Sequence, residues 1–296
     1  MRKRSHRFRA VAAVAAAVVL GLAGCDASGG DGERGTAPSS RPSPKPVWNR
    51  SPDSIAAVGD SITRGFDACT VLSDCPQASW ATGTDAGIDS LAVRLLGATG
   101  AAERSWNYAV TGARMADLAG QVAQAVQRRP ELVTVMVGAN DACRSSTSAM
   151  TPVDDFREQF EDAMAVLRRS LPKAQVYVSS VPNLMRLWSE GRTSALGKQV
   201  WKLGICPSML GDADALDAAS TRRRATVQSR VEEYNQVLKE VCAKDRRCRF
   251  DGNAVFDYRF GPAQLSPWDW FHPSRNGQAR LAEIAYRAVT AEDPVT

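Results

Sequence analysis

Ser54-Ile55-Ala56-Ala57-Val58-Gly59-Asp60-Ser61-Ile62 opens the folded part of this chain and decides how the rest is read. Residues 54–58 are an apolar run of strand length, and glycine, aspartate and serine end it abruptly. A serine at the end of a strand is a candidate nucleophile, but its hydroxyl is inert without a base. The chain has two histidines, His6 and His272, and His6 lies in an N-terminal leader expected to be removed. Imidazole chemistry therefore runs through His272, in Asp269-Trp270-Phe271-His272-Pro273. Asp269, three residues earlier, is placed to hydrogen-bond the ring and fix its tautomer, as the orienting carboxylate does in a serine triad.

Beyond residue 58, short apolar runs alternate with helix-period segments. Runs at 105–110, 132–137, 175–181 and 249–250 read as further strands. Segments at 89–96, 115–128, 153–170, 221–244 and 274–289 read as helices. In the third of these, Phe156, Phe160, Met164 and Leu167 fall on one face. Alternation of this kind predicts an α/β protein, a three-layer α/β/α sandwich around a central parallel sheet. Residues 47–293 are enough for one such domain, with no second linker and no internal repeat. Functional loops of parallel sheets gather at the carboxyl ends of the strands. Ser61 follows the first strand, Gly112 the second and Asn140 the third, while His272 precedes the last helix.

The first nine residues carry five basic groups and no acid, and residues 10–24 are uncharged and mostly apolar. That is short for a membrane span and has the shape of a secretory signal. It ends Leu22-Ala23-Gly24-Cys25, which resembles a bacterial lipobox, so residues 1–24 are expected to be a lipoprotein signal and Cys25 the lipidated membrane anchor. Residues 25–46 are Gly, Ser, Pro and charge, and read as a disordered tether with a reach of about 25 Å. The formal charge of +5 is misleading: without the five leader cations, 32 basic residues face 32 acids. No basic excess points to nucleic acid. The expected location is extracytoplasmic, at the cell surface, and the expected state monomeric.

Gly59-Asp60-Ser61-Ile62, Gly112 in Asn107-Tyr108-Ala109-Val110-Thr111-Gly112-Ala113, Gly138-Ala139-Asn140-Asp141 and Asp269-x-x-His272 stand in the order of the conserved blocks of the SGNH hydrolases. The chain resembles that family, also called the GDSL lipases and esterases, over the whole domain. The resemblance implies a flavodoxin-like fold and a serine esterase or lipase that acts through an acyl-enzyme. It implies Ser61 as nucleophile, His272 as base and Asp269 as its orienter. The oxyanion hole would be the Ser61 and Gly112 backbone N–H groups and the Asn140 amide, donors typically worth about 3–4 kcal/mol each. The Gly-x-Ser-x-Gly elbow of ordinary α/β-hydrolases is absent. Blander roles exist for each residue. Ser61 would cap a helix, Gly112 make a turn and Asn140 an Asx-turn, and a backbone carbonyl would orient His272 in place of Asp269. Asp60 and Asp141 are expected to hold loops.

Removing Cys25 from seven cysteines leaves six, an even set suited to an oxidising compartment. Six cysteines allow 15 connectivities. The six-residue separations favour Cys69–Cys75 and Cys242–Cys248, leaving Cys143–Cys206, and secreted actinobacterial members of the family have a similar sequential pattern. The long bridge would tie the loop after Asn140 to an insertion carrying Trp188 and Trp201. Residues 184–204 read as a helix-like lid or pocket wall. Trp188, Trp201, Trp268, Trp270 and Phe271 are candidate acyl or sugar contacts, with core packing as the alternative. No Cys-x-x-Cys or histidine cluster suggests a transition metal, and no cofactor is expected. The expected substrate is a small-molecule, lipid or glycan ester. A carbohydrate O-acetylesterase and an acyltransferase remain open on the same scaffold.

Overall fold

The computed structural model describes residues 48–293. The expected signal segment, Cys25 and the tether lie outside them. Five strands, β1 (Ile55–Gly59), β2 (Ser105–Asn107), β3 (Leu132–Met136), β4 (Gln175–Val178) and β5 (Cys248–Phe250), form one parallel sheet in the order β2-β1-β3-β4-β5. Every residue of β1, β3 and β4 is buried, as helix layers on both faces require.

The helices in chain order are α1 (Ser61–Arg64), α2 (Leu91–Arg104), α3 (Leu118–Ala125), α4 (Ala139–Ala142), α5 (Val153–Ser170), α6 (Leu184–Gly191), α7 (Ala195–Trp201), α8 (Pro207–Leu210), α9 (Ala218–Ala243), α10 (Ala254–Asp257) and α11 (Arg275–Thr290). In one layer α5 packs against both α3 and α9; α2 and α11 pack together in the other. The stripe Phe156, Phe160, Met164 and Leu167 of α5 is buried, and Phe156 stacks on Tyr234 of α9 with ring centroids 4.0 Å apart. Side-chain caps start three of the four longest helices, α2, α9 and α11: Ser90 accepts from Val93 N, Asp217 from Ala219 N and Ser220 N, and Ser274 from Gly277 N.

Three differences from the sequence reading have local causes. The segment read as 89–96 runs on to Arg104, broken at Gly97 (φ 70°) into two helical pieces. The strand read as 105–110 stops at Asn107, whose Oδ1 accepts from Ala109 N and turns the chain. The helix-like stretch 184–204 is two helices, α6 and α7, separated by residues 192–194.

Strand order reverses between β1 and β3, so the connections leave those strands in opposite directions and open a crevice at their carboxyl ends. Ser61 stands two residues after β1 and Asn140 four residues after β3. The order is flavodoxin-like, as expected.

Candidate active site

Ser61 is the first residue of α1, a helix too short to hold itself. Asp60 caps it by accepting from Ile62 N at 2.9 Å. Gln278, fully buried on α11, accepts from Trp80 N at 2.9 Å and donates to Ile62 O at 2.8 Å. Asn107, at the end of β2, donates to Thr63 O at 2.9 Å. Gly59 makes the approach possible: at φ +149°, a Cβ there would lie 2.2 Å from the Met136 carbonyl oxygen of β3.

His272 sits on the loop before α11, with its Nε2 2.8 Å from Ser61 Oγ and its Nδ1 2.5 Å from Asp269 Oδ2. The other oxygen, Asp269 Oδ1, accepts from Phe271 N at 2.9 Å and His272 N at 3.0 Å. One carboxylate therefore folds the loop and orients the ring. Burial alone would push Asp269 up; the hydrogen bond and charge of His272 outweigh it and hold the carboxyl below its ordinary range. For His272, burial opposes the imidazolium, but the hydrogen bond and charge of Asp269, with the charges of Asp67 and Asp60, lift it above the ordinary histidine value. Phe66 and Phe271 pack their rings on the imidazole, at centroid distances of 5.0 and 5.1 Å.

Gly112 lies in a turn closed by Ala113 N donating to Val110 O at 3.0 Å, and its φ of +85° suits glycine at the third position of a type II turn. Val110 N donates to Gly59 O at 3.1 Å, fastening this turn to the end of β1. Asn140, on α4, donates through Nδ2 to Ala113 O at 3.0 Å, so its amide is held beside the Gly112 turn with a second hydrogen to offer. Asp141 supports the same junction, accepting from Met115 N at 2.9 Å and Thr151 Oγ1 at 2.7 Å. A cleft of about 350 Å³ lined by Val110, Gly112, Asp117, Gln121 and Gln124 runs alongside.

The three disulfides are Cys69–Cys75, Cys143–Cys206 and Cys242–Cys248. They fit an extracellular setting. Cys143–Cys206 links the end of α4 to the start of α8. The insertion bearing α6 and α7 is docked rather than loose: Trp201, 3% exposed, donates its indole N–H to Asp269 O at 2.8 Å. Gly191 lies under Trp201 and Gly197 under Trp270, where added Cβ atoms would come within 2.3 and 3.0 Å of the rings. Trp201 is therefore a packing residue and not a substrate contact. Trp188 is also committed, donating to Ala213 O at 3.1 Å and lying against the guanidiniums of Arg192 and Arg224 at 4.8 and 4.2 Å. Phe271 is buried and Trp268 is exposed.

The arrangement can pass a proton from Ser61 Oγ to an imidazole held in one tautomer. The family model for GDSL-like lipase/acylhydrolase matches residues 55–285, most of the chain and all five strands. The chain belongs to that family. The matched residues cover most of the chain's folded part. Mouse membrane-associated phospholipase B1 is 27% identical over 219 residues, which are 60% of this chain and 15% of that protein. The rat protein of the same name is 26% identical over 212 residues, 59% of this chain and again 15% of the relative. The match thus spans a small part of those relatives. A catalytic mutant of an acetylxylan esterase from Geobacillus stearothermophilus shares the fold with a TM-score of 0.50, at 18% identity over 81% of this chain and 95% of that one.

Sequence reasoning missed Phe66 and Asp67, which carry no motif spacing relative to Ser61. Gln278 was invisible for the same reason, being an ordinary residue within an amphipathic helix.

Proposed function

We propose that this protein hydrolyses carboxylic esters of apolar acyl groups, lipid or small acyl esters, with Ser61 as nucleophile, His272 as base and Asp269 as the group that orients it. The observation that carries this is the unbroken line from Asp269 Oδ2 to His272 Nδ1 at 2.5 Å and from Nε2 to Ser61 Oγ at 2.8 Å. Ser61 Oγ attacks the ester carbonyl while its proton passes to Nε2. The imidazolium then gives that proton to the departing alkoxide, leaving an acyl-serine. Water, deprotonated by His272, attacks the acyl-serine and releases the acid. The oxyanion of each step would be met by the backbone N–H groups of Ser61 and Gly112 and the Asn140 amide.

The acyl preference rests on the surface. The large apolar side chains exposed among the described residues include Val71 and Leu72, Val110 and Trp268. These belong to the loops that carry Asp67, Gly112 and Asp269, and Thr111 Oγ1 hydrogen-bonds Asp74 Oδ1 at 2.5 Å to join the first two loops. Exposed apolar side chains on the loops that carry these residues fit a substrate with an acyl chain. Residues 1–24 as a lipoprotein signal, Cys25 as membrane anchor, 25–46 as tether and a monomeric hydrolase domain at 47–293 complete the proposal.

The test is turnover of p-nitrophenyl esters from acetate to palmitate by the disulfide-bonded protein beside Ser61→Ala. Serine-dependent turnover rising with chain length supports the reading. An optimum at acetate rejects the preference for longer acyl chains and leaves an acetylesterase. Acyl transfer to an added alcohol in preference to water would make it an acyltransferase, and no turnover by the folded protein on any ester would sink it.

A further inference from the structure

We propose that Asp67 is a positioning residue for this site, whose carboxyl backs Asp269 and sets the basicity of His272. The inference rests on the reading of Ser61, His272 and Asp269 as the catalytic line. Asp67 has no place in that line, yet one oxygen of Asp67, one oxygen of Asp269 and a ring nitrogen of His272 all lie within 4.8 Å of one another. The residue is 1% exposed and held on every side. Its N–H donates to Ser73 O at 3.0 Å, its carbonyl accepts from Ser266 Oγ at 2.8 Å, and its Oδ1 accepts from Leu72 N at 2.5 Å. Its φ of +56° is a left-handed conformation that aspartate tolerates better than most residues. The Cys69–Cys75 bridge closes the loop that supplies the Ser73 and Leu72 contacts.

Two buried carboxyls at this range do not both ionise readily. Asp269 already accepts from Phe271 N, His272 N and the imidazole, so its charge is fixed by donors. The proton therefore belongs to Asp67, whose O–H donates to Asp269. Burial first, then the Asp269 charge and that hydrogen bond, push Asp67 up to about 6. Asp67 thus faces Asp269 and His272, and His272 faces Asp269, Asp67 and Asp60. The arginines that touch the loop are paired elsewhere: Arg64 with Asp74 at 3.1 Å, and Arg275, 3.9 Å from Cys69 Sγ, with Asp85 at 2.6 Å. As pH rises through the Asp67 midpoint, a second negative charge appears behind the imidazole. That charge favours the imidazolium formed when Nε2 takes the Ser61 proton.

The test uses the full chain and Asp67→Asn, which keeps an oxygen for Leu72 N and a donor for Asp269 but removes the charge. The chain has only two histidines, so the His272 ring signal is separated from that of His6 with a His6→Gln variant and titrated by NMR. In Asp67→Asn the His272 midpoint is expected to move down by about 1 pH unit, the acid limb of kcat to move with it, and KM to stay unchanged. A folded Asp67→Asn protein whose His272 titrates as in the parent overturns the proposal. Should that variant not fold, the Asp67 carboxyl carbon of the parent decides: a midpoint near 6 supports the proposal, and one at the ordinary 3.8 rejects it. The titrations need no substrate, so they stand apart from Ser61→Ala, which tests the hydrolase reading itself.

Discussion

Replacing Asp269 by Asn changes one oxygen to an amino group and forces the side chain to choose. Asp269 Oδ1 serves two buried backbone N–H groups, those of Phe271 and His272, while Oδ2 receives His272 Nδ1–H. Asparagine has a single carbonyl oxygen. If it stays with the backbone, the amide NH₂ faces Nδ1, the ring must place its proton on Nε2, and Nε2 then donates to Ser61 Oγ instead of accepting from it. The base is lost. If the amide flips, the ring keeps its tautomer, but two buried N–H groups face an NH₂ group, at about 1–3 kcal/mol each. The flip thus costs about 2–6 kcal/mol, and at 1.36 kcal/mol per decade its upper half, about 4–6 kcal/mol, is a loss of about 10³ to 10⁴ in rate. We expect Asp269→Asn to lower kcat on a short-chain p-nitrophenyl ester by about 10³ to 10⁴ at pH 8, with KM little changed. A folded variant within tenfold of the parent would refute the argument and mean that a backbone carbonyl orients the ring.

Asn140→Ala removes a donor pinned beside the Gly112 turn, and kcat is expected to fall by about 10² to 10³ at constant KM. A change confined to KM would make Asn140 a contact to bound substrate instead. Asp60 offers a stability measurement with a definite sign. Burial raises its pKa to about 7, and Ile62 N–H only partly offsets this. Its Oδ2 is buried without a partner. The folded protein therefore binds this proton more tightly than the unfolded chain. The stabilisation is complete below about 3.8 and is lost as pH rises through about 7. Three units correspond to about 4 kcal/mol. Asp60→Asn keeps the cap on Ile62 N, so its stability relative to the parent should improve between pH 4 and pH 8 by up to that amount. Parallel melting-temperature curves for the two proteins would count against the buried charge.

Much of the fold was written in periodicity, because parallel strands buried on both faces must be apolar throughout and helices over them must be striped. Residues 153–170 carried such a stripe, and α5 has those bounds. Ends were harder. Asn107 stops β2 by a side-chain hydrogen bond to Ala109 N, and Gly97 breaks α2 without ending it, so neither outcome follows from apolar spacing. At the site, Ser61, Gly112, Asn140, Asp269 and His272 were legible because each sits in a motif after a strand or before a helix. Phe66, Asp67 and Gln278 were not, because their contacts depend on how a disulfide loop and a distant helix fold back on α1. The tryptophans of the insertion were left between substrate contact and packing for the same reason. An aromatic residue near a motif reads alike whether it meets substrate or, like Trp201, holds the motif from behind.

The indole of Trp201 on the Asp269 carbonyl also limits how this scaffold can be rebuilt. Grafting another specificity region between β4 and α9 would look like a modular exchange, since the sheet and the five motif residues would be untouched. It would remove the donor that braces the acid loop, together with the glycine seats that receive Trp201 and Trp270. A transplanted insertion would have to bring its own brace, or the swap would alter turnover along with specificity.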